Sequence, residues 1–374
     1  MNGKERLLRA LSGQTTDRMP VQLVLDQGYM ARCAGRQRWE FDYGDQAARV
    51  EMHLAATAGH PANDGLWAWA GMNRKLMEGV EIVREAEGPV AVFPDGTRRP
   101  LSDSPDQWPG SKTPEQRKHD LERGRIRHPD DIEPRFGEVI PAEALLQQPE
   151  FAVLKDLVDS IGDRKFIWAN HSPLFSAATG FLGGKEEGWM QAVTNPELVE
   201  AVMDRIQRQH LEYIKAAALA GADGLWNGFH SEGANILGPD TWRRLVKPRT
   251  AQTIAATHQH GLRHLSWFLD DCRDMVPDLV EIGTDALATE QPRTGYECDP
   301  GELRRLAGDS GLCIFGWFWE EHLLKQDFDS VIRTLAKQFA EVGSGGPFVL
   351  STPLLTQEYS PAFIERLLEA ALKL

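Results

Sequence analysis

The sequence predicts an α/β protein built as a (β/α)8 barrel (TIM barrel). From residue 140 to the C-terminus, short apolar strands alternate with longer amphipathic helices, and a short loop joins each strand to the next helix. This alternation requires parallel strands, and right-handed crossovers place the helices outside the sheet. The length of 374 residues suits one such barrel with additional segments. We therefore expect a single barrel domain over residues 1–374.

The part of the chain before residue 140 is less regular. Its predicted elements are a helix at 3–12, a strand at Val21–Leu25, a helix at 45–59, a strand pair at Val80–Arg84 and Val90–Phe93, and a turn at Asp95-Gly96. The polar stretch 102–135 predicts a surface loop with one or two helical turns, so we expect an irregular insertion at about 95–140. This region must also supply one further barrel strand.

The strands predicted after residue 140 are Phe166–Ala169, Gly224–Asn227, Arg263–Phe268, Ala286–Thr289, Leu312–Gly316 and Phe348–Ser351. Helices are predicted near 186–193, 195–220, 239–260, 273–282, 299–308, 328–342 and 360–373. An open doubly wound sheet is the alternative architecture. No glycine-rich phosphate-binding motif follows any strand, which disfavours the nucleotide-binding forms of that alternative.

Composition excludes several classes of function. The chain carries 41 Lys and Arg against 55 Asp and Glu, a net charge of −14, which disfavours a nucleic acid partner. It has no signal-type N-terminus and no apolar run of about 18 residues, so we expect a cytoplasmic protein without a membrane span. Its four cysteines, Cys33, Cys272, Cys298 and Cys313, form no CxxC pair, which excludes a ribbon-type zinc site.

In a barrel, reactive groups gather where the strands end at their carboxyl side. The residues predicted there for acid–base or metal chemistry are His171, His230, Glu232 and Asp270. His230 and Glu232 follow Asn227 on one loop, and the competing interpretation is that this loop is solvated and its histidine caps a helix. Of the adjacent Asp270 and Asp271, we expect Asp271 to cap a helix and Asp270 to face the site.

Tryptophan is over-represented, with 11 residues against 5 tyrosines. The predicted substrate-binding residues at the same mouth are Trp168, Trp226, Asn227, Trp267, Trp317 and Trp319. Indoles at these positions suit a flat aromatic ligand or a methylated cation. Packing of the barrel is the alternative role for any single tryptophan.

The chain resembles the uroporphyrinogen decarboxylase superfamily. The opening ERLLRALSGQTTDRMPV is similar to the family pattern R-x-x-x-A-L-x-G-x-x-x-D-R-x-P-V, and GADGLW, LGPDTWRRLVKPRTAQTIAATHQHGL, VPDLVEIGTDALATEQP and FVLSTP continue the similarity. The resemblance covers almost the whole chain and is weakest at about 95–140. It implies a (β/α)8 barrel, and it suggests a homodimer.

The resemblance implies two activities, and departures from the family pattern distinguish them. Decarboxylases carry an Arg-Gln-Ala-Gly-Arg run that meets the acidic groups of a tetrapyrrole, whereas this chain reads Leu25-Asp26-Gln27-Gly28-Tyr29. Their key aspartate falls near Trp69-Ala70-Gly71 here. A polycarboxylate substrate needs cationic partners, so decarboxylation of a porphyrinogen is disfavoured.

The other branch transfers methyl groups between small substrates and a corrinoid protein, usually with zinc. Its His-x-Cys-Gly motif and its later cysteine correspond here to Trp267-Phe268-Leu269-Asp270 and to Leu354. The thiolate zinc site is absent, so we expect no metal; a His and carboxylate site is the alternative.

Three hypotheses follow from the sequence. The first is a methyltransferase or demethylase that moves a methyl group from a small aromatic ether, or a quaternary or sulfonium substrate, to a corrinoid (cobalamin) on a partner protein. The second is a cofactor-free decarboxylase with a changed substrate. The third is a non-catalytic ligand-binding barrel, because fold alone does not determine function.

Overall fold

The computed structural model describes residues 1–68, 79–102, 114–229, 232–269, 271–289, 299–317, 320–342 and 347–374. Its strands are β1 (Val21–Gln22), β2 (Gly65–Ala68), β3 (Glu81–Glu85), β4 (Gly88–Val92), β5 (Arg98–Pro100), β6 (Phe166–His171), β7 (Gly224–Phe229), β8 (Arg263–Phe268), β9 (Ala286–Thr289), β10 (Cys313–Trp317) and β11 (Phe348–Ser351).

The helices lie mainly between these strands. They are α1 (Gly3–Leu11), α2 (Gln27–Cys33), α3 (Arg38–Asp42), α4 (Gln46–Gly59), α5 (Pro114–Arg123), α6 (Ile132–Phe136), α7 (Ala142–Leu145), α8 (Pro149–Ile161), α9 (Leu174–Thr179), α10 (Lys185–Thr194), α11 (Pro196–Leu219), α12 (Ala234–Leu237), α13 (Pro239–Leu245), α14 (Lys247–Gln259), α15 (Val276–Glu281), α16 (Pro300–Ala307), α17 (Glu320–Leu324), α18 (Phe328–Val342) and α19 (Pro361–Ala371).

Eight parallel strands form the barrel in the order β1-β11-β10-β9-β8-β7-β6-β2, which confirms the predicted (β/α)8 architecture. The two end strands of this order meet, because the Asp64 amide donates to the Val21 carbonyl at 2.8 Å. Side chains complete the seam: Val21 N donates to Asp64 Oδ2 at 2.9 Å, and Leu23 N donates to Asn63 Oδ1 at 2.9 Å. This closure excludes the open doubly wound alternative.

Three aspartates, Asp64, Asp223 and Asp285, form a ring at the amino ends of the strands; we call them the aspartate ring. Each precedes a strand, and its carboxylate accepts the backbone N–H of a residue on the neighbouring strand, at 2.9, 2.9 and 2.8 Å. Each amide also donates to a carbonyl of that neighbour. The ring therefore sets the register between three pairs of adjacent strands.

Helix α1 closes the amino end of the barrel and is bound to this ring. Lys4 Nζ lies 2.6 Å from Asp223 Oδ1, and Arg6 Nη1 lies 2.5 Å from Asp64 Oδ1. Its apolar face, with Leu7 fully buried, packs against the interior side chains of the barrel. The amphipathic pattern of residues 3–12 thus serves to plug the barrel.

The barrel interior is occupied by a cluster of apolar side chains, with bulky residues beside small ones. Trp168 pairs with Gly224 across β6 and β7, and Trp267 pairs with Ala288 across β8 and β9. Alternation along each strand sends the intervening residues outward to the helices. The interior cluster is Leu7, Ala10, Leu11, Val24, Trp67, Phe166, Trp168, Trp226, Leu265, Trp267, Ala286, Ala288, Cys313, Phe315 and Val349.

Several elements differ from the prediction: the strand predicted at Val21–Leu25 extends only over Val21–Gln22, and the α-helix predicted at 273–282 begins at Val276. The strand missing from the sequence prediction is β2, only four residues long. The helix predicted at 239–260 is divided at Val246 into α13 and α14, because Pro248 in the first turn of α14 has no N–H to continue the preceding helix. The predicted strand pair at 80–93 is confirmed, and β5 extends it to a three-stranded antiparallel sheet.

Replacing Gly224 tests the packing between bulky and small residues. A Cβ at this position would lie 2.5 Å from Trp168 Cζ3 and 2.8 Å from Phe166 Cε1. Because these rings are held on all sides, we expect Gly224→Ala to lower the free energy of unfolding by about 1–3 kcal/mol in urea titrations. Gly59→Ala, at the end of α4, is the control, since its Cβ would meet nothing within 4 Å. Equal stability of the two variants would contradict the packing argument.

Candidate active site

The mouth of the barrel lies at the carboxyl ends of the strands, opposite α1. Five of the loops there include residues that the structure does not describe: 69–78, 230–231, 270, 290–298 and 318–319. The predicted site residues His230, Asp270 and Trp319 therefore lie outside the described residues. His171 and Trp317 are the last residues of β6 and β10, paired in register with Asn227 and Ser351.

Below the mouth, four tryptophans and a phenylalanine form an aromatic floor, defined here as Trp67, Trp168, Trp226, Trp267 and Phe315. Trp168 and Trp226 are 0% exposed, while Trp67 and Trp267 are 4% and 5% exposed. Only the last two reach the surface of the floor.

The floor is held by contacts between its rings. Trp67 stacks on Trp226 with centroids 5.1 Å apart and 13° between planes, and Trp267 stands edge-on to both at 5.7 and 5.6 Å. Trp168 meets Trp226 at 89°. Rings in such stacked and T-shaped pairs stabilise one another beyond the effect of burial alone. Trp67 therefore occupies one face of Trp226, and two further indoles contact the same ring.

Burial differs among the tryptophans of the floor, whose role in substrate binding stays a prediction. Trp168 and Trp226 are interior packing residues in this structure, and Trp168 Nε1 donates to Gln22 Oε1 at 3.0 Å. The reason is that rings of other floor residues surround both side chains. Trp267 and the previously unconsidered Trp67 are the described indoles that border the mouth.

Asn227 lies on the other face of its strand from the site. It shares a face of β7 with Leu225 and Phe229, which belong to the clusters packed between the barrel and its helices, and strand alternation turns that face outward. Its amide oxygen is buried without a hydrogen bond among the described residues. This placement does not favour contact between Asn227 and a substrate. The substrate-binding role of Asn227 stays a prediction.

Glu232 is fully buried and joins two loops of the mouth. Its Oε1 accepts the backbone N–H of Ser176 at 2.7 Å, in the first turn of α9. It thereby ties the loop after β7 to the helix that follows β6, and a carboxylate is favourable there because the first N–H groups of a helix have no partner within it. The catalytic role predicted for Glu232 stays a prediction.

A buried charge cluster lies at the rim, where β1 ends; the rim cluster is Asp26, Arg38, Asp42 and Arg49. Asp26 Oδ2 accepts from Arg38 Nη1 at 2.8 Å, and its Oδ1 caps α2 through Tyr29 N at 2.7 Å. Asp42 Oδ2 lies 3.6 Å from Arg38 Nε. Burial raises the pKa of Asp26 and that of Asp42, the latter to about 6, against the attraction of the arginines.

Two residues near the mouth escaped the sequence analysis although signals for both exist. Trp67 ends the run Asp64-Gly65-Leu66-Trp67, which repeats Asp223-Gly224-Leu225-Trp226 letter for letter. Asn170 follows Trp168 by two residues on β6, so alternation turns it to the interior, where it is half-buried. It is a polar group that the described part of the strands presents to the mouth.

The described residues also bear on metal binding. Among them, no group of three or more His, Cys, Asp or Glu side chains is arranged to hold a metal ion. Cys313 is buried in the barrel interior, and burial raises the pKa of its thiol to about 12, so it is not a thiolate. Trp267 and Leu354, which stand where the resemblance expects zinc ligands, offer no lone pair to a metal.

Comparison with protein families identifies the chain. The family described as uroporphyrinogen decarboxylase (URO-D) matches residues 109–371. The chain belongs to this family. No sequence of a curated protein matches it significantly.

One solved structure shares the fold of this chain. A methyltransferase from Methanosarcina mazei superposes with a TM-score of 0.70 at 17% identity, covering 99% of this chain and 98% of the other. A B12-independent methionine synthase from a Shewanella species, in complex with selenomethionine, reaches a TM-score of 0.46 at 11% identity, covering 88% of this chain and 85% of the other.

Within the described residues, no helix is long and apolar enough to cross a bilayer.

As a member of the URO-D family, the chain uses the opening motif for stability. Arg6 and Arg18 both bind Asp64, and Arg6 also binds Asp17 at 2.6 Å. Where decarboxylases are expected to carry two arginines, Leu25 is buried in the outer core and Tyr29 donates or accepts a 2.8 Å hydrogen bond with buried His60. Neither side chain can meet a carboxylate of a substrate.

The rim cluster predicts a pH dependence of stability. The pKa of Asp42 is raised to about 6 in the folded state, so the folded protein keeps a proton that the unfolded chain releases near pH 4. Asp42 therefore stabilises the fold at low pH. This stabilisation is lost as the pH rises through about 6. The natural protein should therefore lose stability between pH 4 and pH 7, whereas Asp42→Asn should not lose this contribution. We expect the unfolding free energy of the variant, relative to that of the natural protein, to rise by on the order of 1–3 kcal/mol over this range. Urea titrations across this range measure it. A constant difference would show that Asp42 does not titrate there.

Proposed function

We propose that this protein transfers a methyl group from a small aromatic methyl ether to an acceptor, with a reduced corrinoid on a partner protein as the natural co-substrate. The observation that carries the proposal is the neutral aromatic floor beneath the mouth, bordered by Trp67 and Trp267. The shared fold with a Methanosarcina methyltransferase over 99% of the chain is consistent with it.

The chemistry of the interior disfavours a polycarboxylate substrate. Between Phe166 and the mouth, the described side chains that point from the strands into the barrel are all neutral. They are Val24, Trp67, Trp168, Asn170, Trp226, Trp267, Ala288, Phe315 and Ser351. Arg38 at the rim is already paired with Asp26. Recognition of several carboxylates needs unpaired cations, so a decarboxylase of the porphyrinogen type is the weaker candidate.

The same floor favours a neutral aromatic substrate over a methylated cation. A quaternary ammonium group is held by the faces of aromatic rings. Trp226 is fully buried, with Trp67 stacked on its ring and Trp168 and Trp267 in T-shaped contact with it, so it offers no free face. An aromatic ring can instead lie against the slightly exposed indoles of Trp67 and Trp267.

Ether cleavage requires that the bond between the methyl carbon and the oxygen break, with its electron pair remaining on oxygen. A general acid from the mouth would give that oxygen a proton while the methyl group passes to the acceptor. His230, His171 and Asp270 are the candidates for this acid, and Glu232 positions the loop that carries His230. The reduced corrinoid supplies the nucleophile for the methyl group.

We also propose that the reaction uses no thiolate-bound zinc. The donor set does not fit such a site, because Trp267 and Leu354 replace the expected ligands and the Cys313 thiol is held protonated. No step of the mechanism is therefore assigned to zinc.

The direct test is incubation with reduced cobalamin and a panel of aryl methyl ethers, quaternary amines and sulfonium compounds, following methylcobalamin by absorbance. We expect turnover with an aryl methyl ether, retained in EDTA because no zinc is required. Carbon dioxide release without cobalamin would establish the decarboxylase instead. Tight binding with no turnover of any substrate would leave a ligand-binding barrel.

Variants of Glu232 test its positioning role. We expect Glu232→Ala to lower turnover by about 10²-fold or more, because the anchor on Ser176 N is lost. Glu232→Gln keeps an oxygen that can accept this N–H, so it should restore most of the turnover with an unchanged pH profile. Equal losses in both variants, with a flattened pH profile in Glu232→Gln, would show that the carboxylate itself transfers the proton.

A further inference from the structure

A second concavity lies at the opposite end of the barrel from the mouth. It is a groove of about 1000 Å³ between the loop that joins α1 to β1 and the segments around α16 and β11. Its lining residues include Gln14, Thr15, Thr16, Arg18, Arg304, Arg305 and Asp309. We call it the basal groove.

Two arginines in the basal groove have no carboxylate partner among the described residues. Arg304 donates only to carbonyls, from Nη1 to Leu312 O at 2.7 Å and from Nη2 to Pro347 O at 2.6 Å. Its Nε is buried without a hydrogen bond. Burial lowers the pKa of Arg304, as expected of a guanidinium without a counter-ion. Arg305 is exposed beside it.

Carboxylates compensate only part of the positive charge that lines the basal groove. Arg18 is already paired with Asp64, and Asp309 is the carboxylate among the groove's lining residues. The chain between Val342 and Pro347, both lining residues, reads Gly-Ser-Gly-Gly and has no acidic side chain. Leaving a partly buried guanidinium unpaired is costly, so an anion from solution would stabilise this end of the barrel.

We propose that the basal groove binds a small phosphate-bearing molecule through Arg304 and Arg305, with the hydroxyl groups of Thr15 and Thr16 as further donors. Guanidinium groups match phosphate oxygens in geometry and stay charged at all working pH values. A protein with a net charge of −14 is repelled by nucleic acids and anionic membranes. A small anion confined to a groove of this size is therefore the favoured occupant.

Calorimetric titration with inorganic pyrophosphate tests the proposal, with orthophosphate and anionic phospholipid vesicles as separate arms. We expect saturable binding of pyrophosphate and a rise in the melting temperature at saturation. Arg305→Gln should weaken binding about tenfold, as for loss of one charge-assisted hydrogen bond. Arg305 forms no described ion pair, so this variant should fold normally.

Arg333→Gln on α18 is the matched control, because this exposed arginine donates to Ser330 Oγ and does not line the groove. It should bind pyrophosphate as the natural protein does. No saturable binding, equal binding by Arg305→Gln, or binding to vesicles alone would overturn the proposal. The result is independent of methyl transfer, which takes place at the other end of the barrel.

Discussion

The fold depends on hydrogen bonds between buried carboxylates and backbone at the amino ends of the strands. In the aspartate ring, each side chain replaces a carbonyl as the acceptor for a neighbouring strand. At Asp64 this contact spans the seam between the first and last strands of the sheet. Arg6 and Lys4 compensate two of the three charges and bring α1 across the opening. A buried carboxylate with several such partners is stable where a lone one would not be.

Because the register is set at that end, the heights of the interior side chains follow. Trp168 comes to lie beside Gly224, and Trp267 beside Ala288, so four indoles can share one barrel. Their edge-to-face and stacked contacts produce a rigid, neutral floor. The described side chains of this floor are neutral, and it is thereby separated from the charged groups that hold the amino end of the barrel closed.

Several elements and contacts were predictable from local pattern. The strands β8, β9 and β11 have the predicted bounds. The strand β2 was not predicted, since four residues give no periodicity, although its run repeats that of β7. The hydrogen bond of Glu232 could not be predicted either: its partner, Ser176 N, lies 56 positions away, and no spacing rule relates the two loops.

The sequence by itself determined the barrel class and the family, because these depend on local periodicity and motif order. Only the tertiary structure decided that Trp168 and Trp226 are buried in the aromatic floor and not exposed at the mouth, and that Asn227 faces the helices. The reason is physical. Alternation shows which residues of a strand share a face. Which face turns inward, and how high each residue lies in the barrel, depend on how the strands assemble through long-range contacts such as Asp64 with Val21.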